Sequence, residues 1–405
     1  MKRTGFIRRR RIPRALIAAF VILLLILVGV AGGPVAEAAA YTPEEEAALE
    51  ELQDKVDELL EALDTEELQA YLDSLTEFRG MDIKEMLSSV ITGDFVLDYS
   101  SLWQSALALV FNEGRAMLPA FAVVLAAALL CGILNSAKNG FLQSTMSDII
   151  NFVTYIAVGA VVLAVLTGVL QTGFSAMESM QRQMEIVYPI LLTLMAASGG
   201  SVSAGVFRPA VAFLSSAVCE MFTAIVLPAS VVVIVLAFVG NLSPDVRTEK
   251  LGDLFKSINK WLIGLTLGLL TLFLTVQGIA SSQYDGLSLR AIKYLVSGSV
   301  PIVGGFLSGG LDLVLAGSAL IKNAVGSFGV FLLFGALLRP VLLFAAFQLF
   351  LRLCAAATEP VGGKVSAFLS RLATDSGFFL AGLLCIAFLY FLTLVLLVCS
   401  TGVIF

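Results

Sequence analysis

Val300-Pro301-Ile302-Val303-Gly304-Gly305-Phe306 opens a Gly-rich apolar stretch that runs to Arg371 and repeats the region before it. Leu338-Arg339-Pro340 restarts the apolar run, and a polar loop with Lys364 and Arg371 leads to a last span. Earlier, Tyr188-Pro189-Ile190 opens a run reaching Gly199-Gly200, Leu227-Pro228 restarts one, and a loop with Arg247, Lys250, Lys256 and Lys260 leads to Trp261. The offsets agree, since 301 minus 189 and 340 minus 228 are both 112. Gly268-Leu269-Leu270 matches Gly382-Leu383-Leu384 at 114, so loops drift while spans keep step. The expectation is an internal duplication, residues 187–281 and 299–400, of the kind membrane transport folds use. Chance alignment of low-complexity apolar sequence is the other reading.

Composition identifies the solvent. At 58% hydrophobic and 14% charged residues, with mean hydropathy +0.95, the chain is far from the soluble average of about 25% charged. The fold class expected is all-α, a polytopic helical membrane protein. No histidine is present, which removes the commonest metal ligand and the side chain that titrates near neutrality. Cys131, Cys219, Cys354, Cys385 and Cys399 lie in apolar runs without CxxC spacing and read as small buried hydrophobes. Neither a cofactor nor a metal nor a catalytic residue is expected, and the chain reads as no enzyme.

From the N-terminus, Lys2, Arg3, Arg8 to Arg11 and Arg14 precede the apolar run Ala15 to Val30, and Ala36-Glu37-Ala38 or Ala38-Ala39-Ala40 would suit a signal peptidase. Residues 1–40 are read as a signal peptide, an uncleaved anchor being the alternative. Residues 41–115 form an acidic exported region, with 19 Asp and Glu against Lys55, Arg79, Lys84 and Arg115; nucleic acid is no partner for it. Leu49, Leu52, Val56, Leu59 and Leu63 set one apolar seam on a helix beginning near Pro43. Asp64 and Glu67 cap a second helix bearing Leu68, Tyr71 and Leu72. These seams either pack on one another as a small lobe or offer a docking surface.

Residues 116–172 supply two spans, about Met117 to Leu134 and Ile149 to Leu170, each near the ~20 residues a bilayer requires. Gln171 to Val187, with Glu178, Arg182 and Glu185, reads as a polar connection. Phe207 to Val239 is too long for one span and is divided by Pro228, giving two short crossings or a re-entrant hairpin. The basic loop Asn241 to Lys260 faces the cytoplasm by charge bias, and the same count in the second copy places Lys322, Lys364 and Arg371 inside, which makes the two copies parallel.

Glu220 and Asp312 are the carboxylates expected at membrane depth, where each would cost about 2.5 to 3.5 kcal/mol unless paired or wet. Arg208, Lys322, Arg339 and Arg352 are their candidate partners. Two readings stand, a pair or interfacial charge and a polar path, with Arg208 among the path candidates. Positions 112 away hold Leu332 and Gly200, which argues against a symmetric proton relay. Gly264 with Gly268 and Gly305 with Gly309 are spaced four apart for close helix packing. Gly199-Gly200 and Gly309-Gly310 could instead unwind a helix, while Pro228 and Pro340 are expected breaks.

Order and texture over nearly the whole chain resemble the stage III sporulation protein AE family. The resemblance rests on Gly80 to Asp94 before the first span, Asn135-Ser136-Ala137 after it and the Tyr188-Pro189 opening. It matches the acidic stretch Glu44 to Glu77 least. It implies a permease-like subunit of the channel between mother cell and forespore, in the mother-cell membrane around the forespore. The implied partners are other proteins of the stage III sporulation A operon, including a cytoplasmic secretion-type ATPase and ring-forming subunits, and indirectly stage II sporulation protein Q. A stand-alone secondary transporter of a small solute is the alternative function.

Overall fold

Apolar residues recur at steps of three and four through every long segment, and each such segment is helical. The computed structural model describes residues 43–74, 82–92, 99–136, 144–240, 248–269, 272, 304–360 and 363–399. The basic leader, Lys138, the 241–247 loop and residues 273–303 lie outside the described residues, and so do the leader's cleavage and part of each expected repeat. Among the described residues there is no strand. The helices are α1 Pro43–Ala62, α2 Glu66–Ser74, α3 Ile83–Thr92, α4 Tyr99–Ser136, α5 Ser144–Ala197, α6 Ser201–Gly240, α7 249–269, α8 Gly304–Thr358 and α9 Gly363–Cys399. Four of them, α5, α6, α8 and α9, contain stretches long and apolar enough to cross a membrane.

Helix lengths differ from the sequence reading. The expected connection from Gln171 to Val187 lies inside α5, whose 54 residues rise about 81 Å against a hydrocarbon core of about 30 Å. Glu178, Arg182 and Glu185 interrupt hydropathy but not helicity, because all three sit on the exposed face while Met177, Met180, Met184 and Val187 stay in the core. Pro228 and Pro340 do not break their helices either: α8 continues through Pro340, and α6 is one helical run across Pro228. A proline removes a single intrahelical bond, and neighbouring groups can re-satisfy the loosened turn. Next to Pro228, Asn259 Nδ2 donates to the Val226 carbonyl at 3.2 Å and to Ser230 Oγ at 2.9 Å. The adjoining turn, Phe222–Val226, is π-helical, as is Phe213–Val218.

One true reversal joins α5 to α6. Gly199 has φ 92°, a backbone region open to glycine, and α6 returns antiparallel, with the Tyr155 hydroxyl donating to the Phe238 carbonyl at 2.8 Å. Close helix approach occurs at glycines the spacing did not single out. A Cβ at Gly173 would strike Phe379, and one at Gly326 would strike Val398. A Cβ at Gly264 or Gly268 meets no described atom within 4 Å, so the packing expected there is not among the described contacts. Gly305, Gly309 and Gly310 fall within the continuous α8, which corrects the unwinding expected at Gly309-Gly310.

The two C-terminal hairpins run in the same sense. Glu249, Lys256 and Lys260 of α7 meet Arg371, Asp375 and Phe378 of α9 in ascending order, so α7 and α9 are parallel. Both α6 and α8 lie antiparallel to α5. The pairs α6–α7 and α8–α9 therefore have matching directions.

The acidic helices fix where water lies. Their seams do not mainly pack on one another, contrary to the small-lobe reading: Val56 and Leu59 of α1 face Gly317 of α8, and the Tyr71 hydroxyl of α2 bonds Ser179 Oγ of α5 at 2.8 Å. Gln183 Nε2, buried in α5, donates to that hydroxyl at 2.9 Å and to the Leu332 carbonyl at 3.2 Å. Glu51, Asp54, Asp57, Glu58, Glu61 and Asp73 point away from the bundle and are exposed, so hydrocarbon cannot surround that side. The half of α5 and α8 from about Glu178 to the Gly199 turn thus stands in water. Exposed large apolar side chains concentrate in the other half: Ile149, Phe152 and Val153 on α5, Val232 and Val235 on α6, Trp261 on α7, Leu349 and Leu353 on α8. That half is the membrane-facing one.

If the aqueous half is outside the cell, a cysteine at Ser74 in α2 should react with a membrane-impermeant thiol reagent in intact cells. One at Ser370 in α9 should react only after permeabilisation. Labelling of Ser370→Cys from outside would overturn both the orientation and the parallel-repeat topology.

Candidate functional site

Antiparallel pairing about the Ser198–Gly200 turn places Glu220, some twenty residues beyond it, roughly level with Glu178, some twenty residues before it. Glu220 therefore sits roughly level with the docked α2 helix, within the apolar stretch Ser201–Gly240. Asp312 belongs to α8, its side chain lying outside the described residues, and Arg208 is exposed on α6 one helical stretch nearer the turn. An apolar neighbourhood in sequence does not by itself stand for lipid. The apolar residues around these charges instead pack on other helices: Phe207, Leu214, Val218, Cys219 and Phe222 are all buried in the core.

The outward side of α6 carries the informative surface. Val202, Phe213 and Ile225 are 38%, 55% and 48% exposed, and Arg208 and Glu220 are exposed among them. Gly205, Ala212, Ser216, Ala217 and Ala224 complete the outward set, leaving a face of low relief around one phenyl ring and two opposite charges. Two π-turns flank Glu220, and such widened turns recur at functional positions. Among the described residues neither Arg208 nor Glu220 makes an ion pair. An aromatic beside an arginine on a water-facing helix is the composition of a protein-docking patch.

Sequence reading missed the densest charge network, which joins α7 to α9. Lys256 Nζ of α7 meets Asp375 Oδ1 of α9 at 2.6 Å, with side chains 16% and 3% exposed. Arg371 Nη1 bonds Glu249 Oε1 at 2.9 Å, and its Nε stands 3.9 Å from Asp375 Oδ2. Lys256 and Lys260 also approach the Phe378 ring, at 5.9 and 5.2 Å from its centroid. The i, i+4 spacing of Arg371 and Asp375 was a local signal, but the partner Lys256 comes from the other hairpin. The network reads as a clamp between the hairpins, Asp375 Oδ1 being held by Lys256 while Asp375 Oδ2 is buried without a hydrogen bond among the described residues. Of the proposed partners for Glu220, Lys322 is buried in α8 at 1% exposure, while Arg339 and Arg352 are exposed. Among the described residues no group of three or more His, Cys, Asp or Glu could hold a metal ion.

Comparison with known proteins adds to this geometry. A family model described as Stage III sporulation protein AE matches residues 81–401. Stage III sporulation protein AE of Bacillus subtilis (strain 168) is 26% identical to this chain over 387 residues, covering 94% of this chain and 96% of the relative. No solved structure matches. The family match begins at residue 81, leaving α1 and α2 ahead of it.

Proposed function

The chain belongs to the stage III sporulation protein AE family, a multi-pass membrane protein of sporulation, and on that premise we propose that it is a permease-like subunit of the mother cell to forespore channel complex. The observation that carries the reading is the α6 face, where Phe213, Val202 and Ile225 stand exposed in the half of the bundle that water surrounds. A monomer working alone would leave this apolar patch in solvent, which favours a protein neighbour. The other stage III sporulation A-operon proteins are the proposed neighbours, with the ATPase on the cytoplasmic side and ring-forming subunits in the intermembrane space. Contact with stage II sporulation protein Q would be indirect, and the chain would reside in the mother-cell membrane around the forespore. Chemistry is assigned to no residue of this chain; its contribution is a scaffold and a wall for the conduit.

A stand-alone secondary transporter would need its substrate site near the midplane between repeats. The Lys256–Asp375 pair joins the two hairpins, and its charges engage each other and not a substrate. Purification from sporulating cells in mild detergent should retain an assembly with ATPase and ring-forming subunits. A lone chain that transports a solute in liposomes would overturn the proposal.

A further inference from the structure

Between the C-terminal end of α8 and the start of α9 lies a cleft of about 480 Å³, lined by Arg352 of α8, Glu359 just beyond it, and Ser366 and Ser370 of α9. Arg352 lies in the last two turns of α8 and Glu359 in the turn just after Thr358, and both are exposed. Among the described residues neither makes an ion pair. Ser366 Oγ donates to the Ala355 carbonyl at 2.8 Å and so fixes the facing wall. The Ser370 hydroxyl makes no bond among the described residues and is exposed to the cleft.

An unpaired cation and an unpaired anion lining one cleft suit a ligand that carries both charges. A guanidinium grips a phosphate by parallel N–H bonds, and a carboxylate accepts from a primary ammonium. A purely anionic ligand would meet Glu359 as a like charge. On the same α8 face the exposed residues continue as Ala345, Leu349 and Leu353, an apolar track running from the cleft into the membrane-facing half. Polar end and apolar track together match one amphiphile lying along the helix.

We propose that this cleft binds the phosphoethanolamine head group of an aminophospholipid. Arg352 and Ser370 hold the phosphate, Glu359 accepts from the ammonium, and an acyl chain lies on Leu349 and Leu353. The site would fix the depth of the α8–α9 hairpin in the inner leaflet.

The test uses the purified full-length chain reconstituted with equimolar phosphatidylethanolamine, phosphatidylglycerol and phosphatidylcholine, followed by native mass spectrometry of retained lipid. Phosphatidylethanolamine should be retained over each of the others by roughly tenfold, the scale of one charge-assisted hydrogen bond. Glu359→Gln should erase that preference while keeping or raising phosphatidylglycerol retention, and Ser370→Ala should lower retention of all three lipids, since each carries the phosphate. Equal retention of the three lipids by the unaltered chain would overturn the proposal, as would an unchanged preference in Glu359→Gln. Loss of all lipid preference to an acidic peptide added as competitor would assign the cleft to a protein segment instead.

Discussion

Asp375→Leu is expected to remove most of the protein from the membrane fraction. The substitution strands Lys256, only 16% exposed and held 2.6 Å from the lost carboxylate, and takes from Arg371 one of its two acidic neighbours. Breaking a buried pair from one side costs about 3–5 kcal/mol, because the remaining charge stays desolvated without a partner. Domain stabilities are about 5–15 kcal/mol, so a loss of that size is a large share. Lys256→Met in the same chain removes the stranded charge, and the double variant should recover abundance and the thermal midpoint in detergent close to the unaltered protein. Replacing both members by apolar residues is often neutral or stabilising. Asp375→Leu at normal abundance and midpoint would show that α7 and α9 do not depend on the clamp. A double variant no better than the single one would show that Asp375 acts through Arg371 alone.

The pair also marks where sequence stops being informative. Hydropathy and three-four spacing make every long helix legible, because an all-α membrane fold records its core as local periodicity. Termination of helices was less legible. Glu178, Arg182 and Glu185 look like a loop to a hydropathy window, yet their spacing of four and three keeps them on one face. The core stripe Met177, Met180, Met184 and Val187 passes beneath them. That stripe was the available signal.

Depth is illegible for a different reason. Leu, Val and Phe around Glu220 have the same composition whether they face lipid or another helix, and a single chain does not distinguish the two. Only the docking of α1 and α2, through Gly317 and through Tyr71 with Ser179 and Gln183, shows which half of the long helices is wet. Those contacts join residues more than a hundred positions apart, beyond the reach of any local pattern. Lys256 with Asp375 is hidden in the same way, although each carries a charge in an apolar run.

Phe213→Glu is expected to free the chain from its assembly without unfolding it. Phe213 is 55% exposed and sits on the water-facing side of α6, so a carboxylate there is solvated in the free chain and membrane abundance should hold. In a docked complex the same carboxylate would enter the apolar centre of the patch. Loss of a central aromatic anchor alone costs about 2 kcal/mol or more, roughly thirtyfold in affinity, and a buried charge adds to it. Channel-dependent activity in the forespore should fall with the loss of co-purifying subunits. Glu220→Gln retains shape and removes one charge at the margin of the face, where electrostatics act mainly on association rate and salt dependence. Its effect should be smaller, with assembly that survives low ionic strength and weakens less steeply with added salt than in the unaltered chain. Glu220→Leu should follow Glu220→Gln, because no described cation depends on Glu220. Depletion of the protein by Glu220→Leu would mean that the carboxylate holds a buried charge after all. Normal recovery of the partner subunits with Phe213→Glu would remove the α6 face as the docking surface and, with it, the observation on which the channel-subunit reading rests.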